Sequence, residues 1–308
     1  MCRLLGYCSR GDASLEDLIG ADGVGGFTGL CALHGDGWGM AWYEGAEPVI
    51  RKSPLRADSE PEFGKLTREP LGDLGLVHLR WATPGLGVSE RNSHPFQFGQ
   101  YVLAHNGAIH PQDRLPEMLP PTFERKLGGS TDSERFFLLI MSRLAAHGGD
   151  MVAAIADAAA DIDRRFEPNS LNTILLSPDK LYAVSWYYKS RVPEAKLRLH
   201  GYDRSDEIAA YFDLAYRATD DAVIVASSGW PQAGWTQLEN QHVLVVDRHT
   251  LTTQLLPLQP RQALWTAEDV TVTTGALPDD NARRILDAAP MPVGDLLAEL
   301  DELRGRHA

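Results

Sequence analysis

The chain is 308 residues long, 44% apolar and 23% charged, a globular composition with room for one large domain or two ordinary ones. Lysine and arginine number 29 against 42 acidic residues, a formal charge of −13, which argues against nucleic acid or an anionic membrane as the partner, since both select basic patches. Three cysteines without a CxxC pair, no signal-like leader and no apolar run of about 18 residues exclude a disulfide framework, structural zinc and a membrane span, so a cytoplasmic protein with reduced thiols is expected.

The chain opens MCRLLGY, with Cys2 directly behind a methionine that its small side chain allows to be trimmed. HGDGWG at 34–39 gathers three glycines around Asp36 and Trp38, so backbone must pass close to something there. Strand-like runs follow at GMAWY (39–43), GLVHLR (75–80) and YVLAHNG (101–107), each rich in β-branched or aromatic residues and bounded by Gly, Pro or Asn. The period then changes. From Asp132, apolar residues at 136, 137, 140, 141 and 144 predict a helix, with Thr131 and Glu134 as a capping box and Gly148-Gly149 as its stop. A second helix is expected from Met151. Strands resume with NTILLS, LYAVSW, AVIVASS and HVLVVD, and AAYFDLAYR reads as another, because Phe212, Leu214 and Tyr216 alternate. LPLQP at 256–260 is the candidate hinge, and Leu296, Leu300 and Leu303 predict a terminal helix. Strands, two adjacent helices and strands again make an α+β layered domain over 2–260, followed by a C-terminal appendage over 261–308.

Candidate chemistry begins at Cys2. An unperturbed thiol has a pKa of about 8.5 and an α-amine titrates at about 8, so an N-terminal cysteine carries a nucleophile and its base on one residue. Arg80, just past a strand run, could grip a carboxylate bidentately or form a surface ion pair. The Asn106 amide and Gly107 backbone suit an oxyanion hole, or equally a type I′ turn. Asp132 could pair with an ammonium or simply cap its helix. Together these residues supply what is needed to hold a free α-amino acid end and attack a side-chain carbonyl.

Cys2 behind Met1, RWAT at 80–83, HNG at 105–107 and TDSE at 131–134, in this order, resemble class II glutamine amidotransferases of the N-terminal-nucleophile hydrolase superfamily. HGDGWG and NSHPF (92–96) resemble the stand-alone branch that includes ergothioneine-pathway γ-glutamyl hydrolases. The resemblance implies a four-layer αββα sandwich of two antiparallel sheets, with Cys2 at the end of a central strand. It implies Cys2 as nucleophile, Asn106 and Gly107 as oxyanion hole, Arg80 with help around Thr83 as the α-carboxylate clamp, and Asp132 as the α-ammonium partner. Pro84 departs from the pattern, since synthase relatives often carry His there.

His78, His94 and His105 invite a metal reading, but no HxH or HxxxH pair joins them. Neutral, hydrogen-bonded histidines are expected, with His94 lining the pocket, and neither a metal nor another cofactor is expected. After residue 180 there is no G-x-G-x-x-G and no P-loop, so no fused synthase is expected. Three readings remain: hydrolysis of a small-molecule γ-glutamyl amide, a glutaminase subunit feeding ammonia to a synthase partner, and an idle glutamine-sensing protein. A homo-oligomer is left open.

Overall fold

The computed structural model describes residues 2–82 and 87–259. Thr83 and the expected appendage with its terminal helix lie outside the described residues.

Two antiparallel sheets lie face to face. The first comprises β1 (Arg3–Ala13), β2 (Trp38–Glu44), β3 (Glu47–Ser53), β4 (Gly72–Leu79), β11 (Leu214–Ala218), β12 (Ala222–Ser227) and β13 (Thr236–Gln237). Its order is β13-β11-β12-β1-β4-β2-β3, so β1 is central. The second comprises β5 (Phe96–Phe98), β6 (Tyr101–Asn106), β9 (Asn172–Ser177), β10 (Lys180–Ser185), β14 (His242–Asp247) and β15 (Thr253–Pro257), ordered β15-β14-β10-β9-β6-β5. A small ribbon pairs β7 (Ile109–His110) with β8 (Glu167–Pro168).

The period-2 alternation of the strands assigns the layers. Leu4 and Cys8 of β1, Leu74 and Leu76 of β4, Val102 and Ala104 of β6 and Ile174 of β9 fill the space between the sheets. The alternate residues, Leu5, Tyr7, Val77 and Leu79, face the other way, against α1 (Leu15–Gly29) and the short α2 (Pro61–Leu66). On the far side, beyond the short α3 (Pro121–Glu124), α4 (Asp132–Ala146) and α5 (Met151–Arg165) lay Phe136, Phe137, Ile140, Ile155 and Ile162 against Leu103, Leu175 and Val184. The result is the expected four-layer αββα sandwich of two antiparallel sheets. No helix among the described residues is long and apolar enough to cross a membrane.

The two expected helices form, but the capping box closes only halfway. The Thr131 hydroxyl accepts the Glu134 N–H at 3.2 Å, whereas the Glu134 carboxylate turns away to accept the Gly128 and Gly129 N–H groups, both at 2.8 Å. Two other expectations are corrected. The strand in AAYFDLAYR starts only at Leu214, because Tyr211 and Phe212 pack with Trp81, Tyr187, Leu197 and Ile208 in a separate cluster. That cluster is built by α6 (Glu194–Leu199) and α7 (Ser205–Ala209). Nor is LPLQP a hinge over its described part: Leu256 and Pro257 pair with Val243 and His242 inside the second sheet, and Leu258 is buried.

Candidate active site

Cys2 precedes the first residue of the central strand, and β6 brings the end of the facing sheet to it. The Cys2 backbone N–H donates to Asn106 Oδ1 at 2.9 Å, and the Cys2 thiol points at the Trp81 carbonyl, 3.8 Å away. Cys2 and Asn106 are both buried. Burial pushes the Cys2 thiol up from its ordinary pKa, while the Arg80 guanidinium pulls it back down and the Asp132 carboxylate raises it further. Cys2 is thus bonded to Asn106 and feels the charges of Arg80 and Asp132, all distant from it in sequence.

Asn106 is oriented by its own hydrogen bond. With Oδ1 taken by the Cys2 N–H, its Nδ2 is buried and meets no acceptor among the described residues. An unmet buried amide donor beside a thiol is costly unless something else accepts from it. Neither Asn106 nor Gly107 has a positive φ, so the type I′ turn is ruled out. Gly107 is required on steric grounds, since a Cβ there would lie 1.9 Å from the Ser170 carbonyl oxygen.

Arg80 is also buried, and it is no surface ion pair. Its Nη1 donates to the Asp36 carbonyl and its Nη2 to the Gly87 carbonyl, each at 3.3 Å, and no carboxylate pairs with it among the described residues. Asp36 is the residue that sequence reasoning missed here. Its N–H donates to the Arg80 carbonyl and its carboxylate accepts the Ala82 N–H at 2.8 Å, so it braces the segment carrying Arg80 and Trp81. The glycine cluster of HGDGWG was the only signal.

That cluster makes the predicted close approach. A Cβ on Gly39 would lie 2.0 Å from the His94 carbonyl oxygen, so HGDGWG and NSHPF meet backbone to backbone. Gly39→Ala is therefore expected to destabilise the fold by about 1–3 kcal/mol or more, read as a fall in thermal midpoint. An unchanged midpoint would show that the His94 segment yields freely.

Asp132 is buried and partly engaged, with Oδ2 accepting the Ile109 N–H at 2.9 Å and Oδ1 the Ser133 N–H at 3.0 Å. His105 is hydrogen-bonded at both ring nitrogens, to Ser133 Oγ at 2.9 Å and to the Ser170 carbonyl at 3.1 Å. A carbonyl only accepts, so Nε2 carries the proton and Nδ1 receives the Ser133 hydroxyl. His94 departs from the expectation of hydrogen-bonded histidines. The rings of His78 and His94 lie tilted at 33° with centroids 4.1 Å apart, and neither ring nitrogen of His94 meets a partner among the described residues. Burial holds both well below the usual imidazole pKa, so they stay neutral. Among the described residues no group of three His, Cys, Asp or Glu is placed to hold a metal ion.

Trp81 and Lys196 make a cation–π contact that the sequence did not announce. The Lys196 ammonium stands 4.2 Å from the Trp81 ring centroid. Burial lowers its pKa, against the pull of Asp36 and the Cys2 thiol.

The family model of the class II glutamine amidotransferases matches residues 1–269. The chain is 24% identical over 222 residues to the γ-glutamyl-hercynylcysteine sulfoxide hydrolase of Mycobacterium tuberculosis (strain ATCC 25618 / H37Rv), covering 71% of this chain and 78% of the relative. It is 25% identical over 258 residues to a probable glutamine amidotransferase of Saccharomyces cerevisiae, covering 71% of each. In fold it is similar to a glutamine aminotransferase class-II domain protein of Silicibacter pomeroyi, with a TM-score of 0.58 at 23% identity over 84% of this chain and 100% of the other.

Proposed function

The chain belongs to the class II glutamine amidotransferases, and from that membership we propose that it hydrolyses a γ-glutamyl amide through a thioester on Cys2. Removal of Met1 turns the Cys2 N–H that Asn106 Oδ1 accepts into an α-amine, and that amine takes the thiol proton. The sulfur then attacks the γ-carbonyl carbon. A C–S bond forms, the carbonyl oxygen becomes an oxyanion, and the C–N bond breaks as the proton passes to the departing amine. Water hydrolyses the thioester, so the sum is γ-glutamyl amide plus water giving glutamate plus amine.

The observation that supports this reading is the Asn106 amide, whose Oδ1 accepts the Cys2 nitrogen and whose buried Nδ2 donor meets no acceptor among the described residues. Such a donor suits an oxyanion better than a neutral ground state. Arg80, a buried guanidinium that no carboxylate pairs with among the described residues, would hold the substrate α-carboxylate with Thr83 assisting, and Asp132 would hold the α-ammonium. Gly107 lets the tetrahedral centre approach the backbone, and neutral His94 lines the space behind. A relative named as a γ-glutamyl hydrolase supports water as the final acceptor.

The test is the intact mass before and after incubation with 6-diazo-5-oxo-L-norleucine, a reactive glutamine mimic. The expected result is a chain lacking methionine that gains a single adduct, mapped to Cys2. A processed chain that stays unlabelled and leaves glutamine uncleaved would overturn the reading.

A further inference from the structure

Trp81 is the residue through which the cluster built by α6 and α7 reaches Cys2. Its carbonyl faces the Cys2 thiol at 3.8 Å, while its ring packs in the cluster with Leu197, Tyr211 and Phe212. Two side chains four residues apart, and so on one face of the α6 turn, lie on that ring. The Lys196 ammonium stands 4.2 Å from its centroid, and His200 meets it edge-on at 4.9 Å. Leu197 between them is fully buried and anchors α6, so Lys196, itself half-buried, is placed by packing. Its company is unusual for a cation in a chain of net charge −13. On the same helix Arg198 pairs with Glu194 at 2.8 Å, yet no carboxylate pairs with Lys196 among the described residues. The negative groups it feels are the Asp36 carboxylate and the Cys2 sulfur once ionised.

A thiol as buried as Cys2 resists ionisation, so the charges around it decide how readily the sulfur becomes a nucleophile. Arg80 at the end of β4 favours the thiolate, as does the amine of Cys2 itself once Met1 is removed, and Asp132 of α4 opposes it. Tyr211 also faces the sulfur, but burial keeps its phenol protonated. Arg3 on β1 turns its guanidinium to the Cys2 and Tyr211 carbonyls. The function proposed above commits Arg80 to the substrate α-carboxylate, which neutralises it when substrate is bound. The amine, for its part, must be neutral to take the thiol proton. Resting on that function, we propose that Lys196 is a positioning residue for the reaction: fixed against Trp81, its ammonium is the cation that remains to stabilise the Cys2 thiolate after the substrate has neutralised Arg80. Lys196 neither takes nor gives a proton in this step. The thiol proton passes to the α-amine, and the ammonium keeps its charge on the ring face.

The test follows alkylation of Cys2, mapped by peptide mass, with neutral iodoacetamide and anionic iodoacetate across the thiol titration, alongside glutamine turnover. Lys196→Met is expected to slow iodoacetamide near neutral pH roughly three- to tenfold, the effect of one cation several ångströms from a thiolate in partly wet protein. The gap is expected to close as pH rises, because the thiolate then forms without help. Lys196→Arg, which keeps the charge, is expected to restore the rate, and Lys196→Gln gives the same reading as Met should Met disturb Trp81. With glutamine, kcat is expected to fall by a similar factor while KM stays nearly unchanged. Iodoacetamide rates unmoved in the folded variants would overturn the role. So would a gap constant with pH, which packing alone would give, a loss confined to iodoacetate, which attraction of an anion alone would give, or a change in KM alone. Alkylation needs no substrate and therefore decides the effect of Lys196 on the sulfur by itself. A wild-type chain that leaves glutamine uncleaved and takes no label from the diazo mimic would overturn instead the function on which the role rests.

Discussion

Cys2→Ser is expected to keep the fold and lower turnover of a γ-glutamyl amide by roughly 10⁴-fold or more, the scale on which enzymes lose rate when a covalent nucleophile is removed. The fold should persist because the change swaps one small side chain for another whose polar contact among the described residues is the Trp81 carbonyl, which a hydroxyl also satisfies. The rate should collapse because burial already raises the Cys2 thiol, so the resting group is protonated and must be activated by a base. A weak base such as an α-amine can deprotonate a thiol but gains little purchase on a far less acidic hydroxyl. The remaining thiols offer no substitute. Cys8 sits between the sheets with its pKa raised by burial, and burial pushes Cys31 up to about 11. Turnover near the wild-type value, or an adduct of the diazo mimic that persists in the Ser variant, would remove Cys2 from the chemistry.

Local order was legible wherever one pattern dominated. α4 and α5 were readable because their apolar stripes face one sheet and their caps sit in the sequence. β1 gave no alternation to read, because its first seven residues are buried whichever face they take, and the central strand was implied only by the family resemblance. α1 was missed for a different reason: its glycines dilute both propensity and periodicity, and its backbone leaves helical geometry at Gly20. AAYFDLAYR misled because its aromatic alternation serves the cluster around Trp81 rather than a sheet face.

The site was legible in its parts and illegible in its assembly. Each of Cys2, Arg80, Asn106 and Asp132 has a bland reading alone, and the bond that joins Cys2 to Asn106 spans 104 residues, which no local pattern encodes. The glycines of HGDGWG announced a close contact without naming its partner, which proved to be the His94 carbonyl. Asp36 within the same motif gave no sign that it would hold Arg80, since an aspartate among glycines reads as a turn. The partners of Arg3 were equally invisible, because Tyr202 and Tyr211 lie about 200 residues downstream.

Asn106→Ala is expected to lower kcat by roughly 10²–10³-fold, the loss that follows removal of one oxyanion donor. Two functions of the side chain must be separated before that loss is assigned. Oδ1 anchors the Cys2 nitrogen, while Nδ2 is the buried donor without an acceptor. Alanine deletes both, whereas Asn106→Asp keeps an acceptor for the Cys2 nitrogen and replaces the donor by a second oxygen. If the donor carries the effect, the Asp variant is impaired at least as severely as the Ala variant, because a carboxylate at that position repels a developing oxyanion. If the anchor carries it, the Asp variant recovers most of the rate. The expected result is loss of kcat in both variants, with KM moving far less, since an interaction made only in the transition state leaves ground-state binding untouched. A variant changed in KM alone would reassign Asn106 to holding the substrate rather than its transition state.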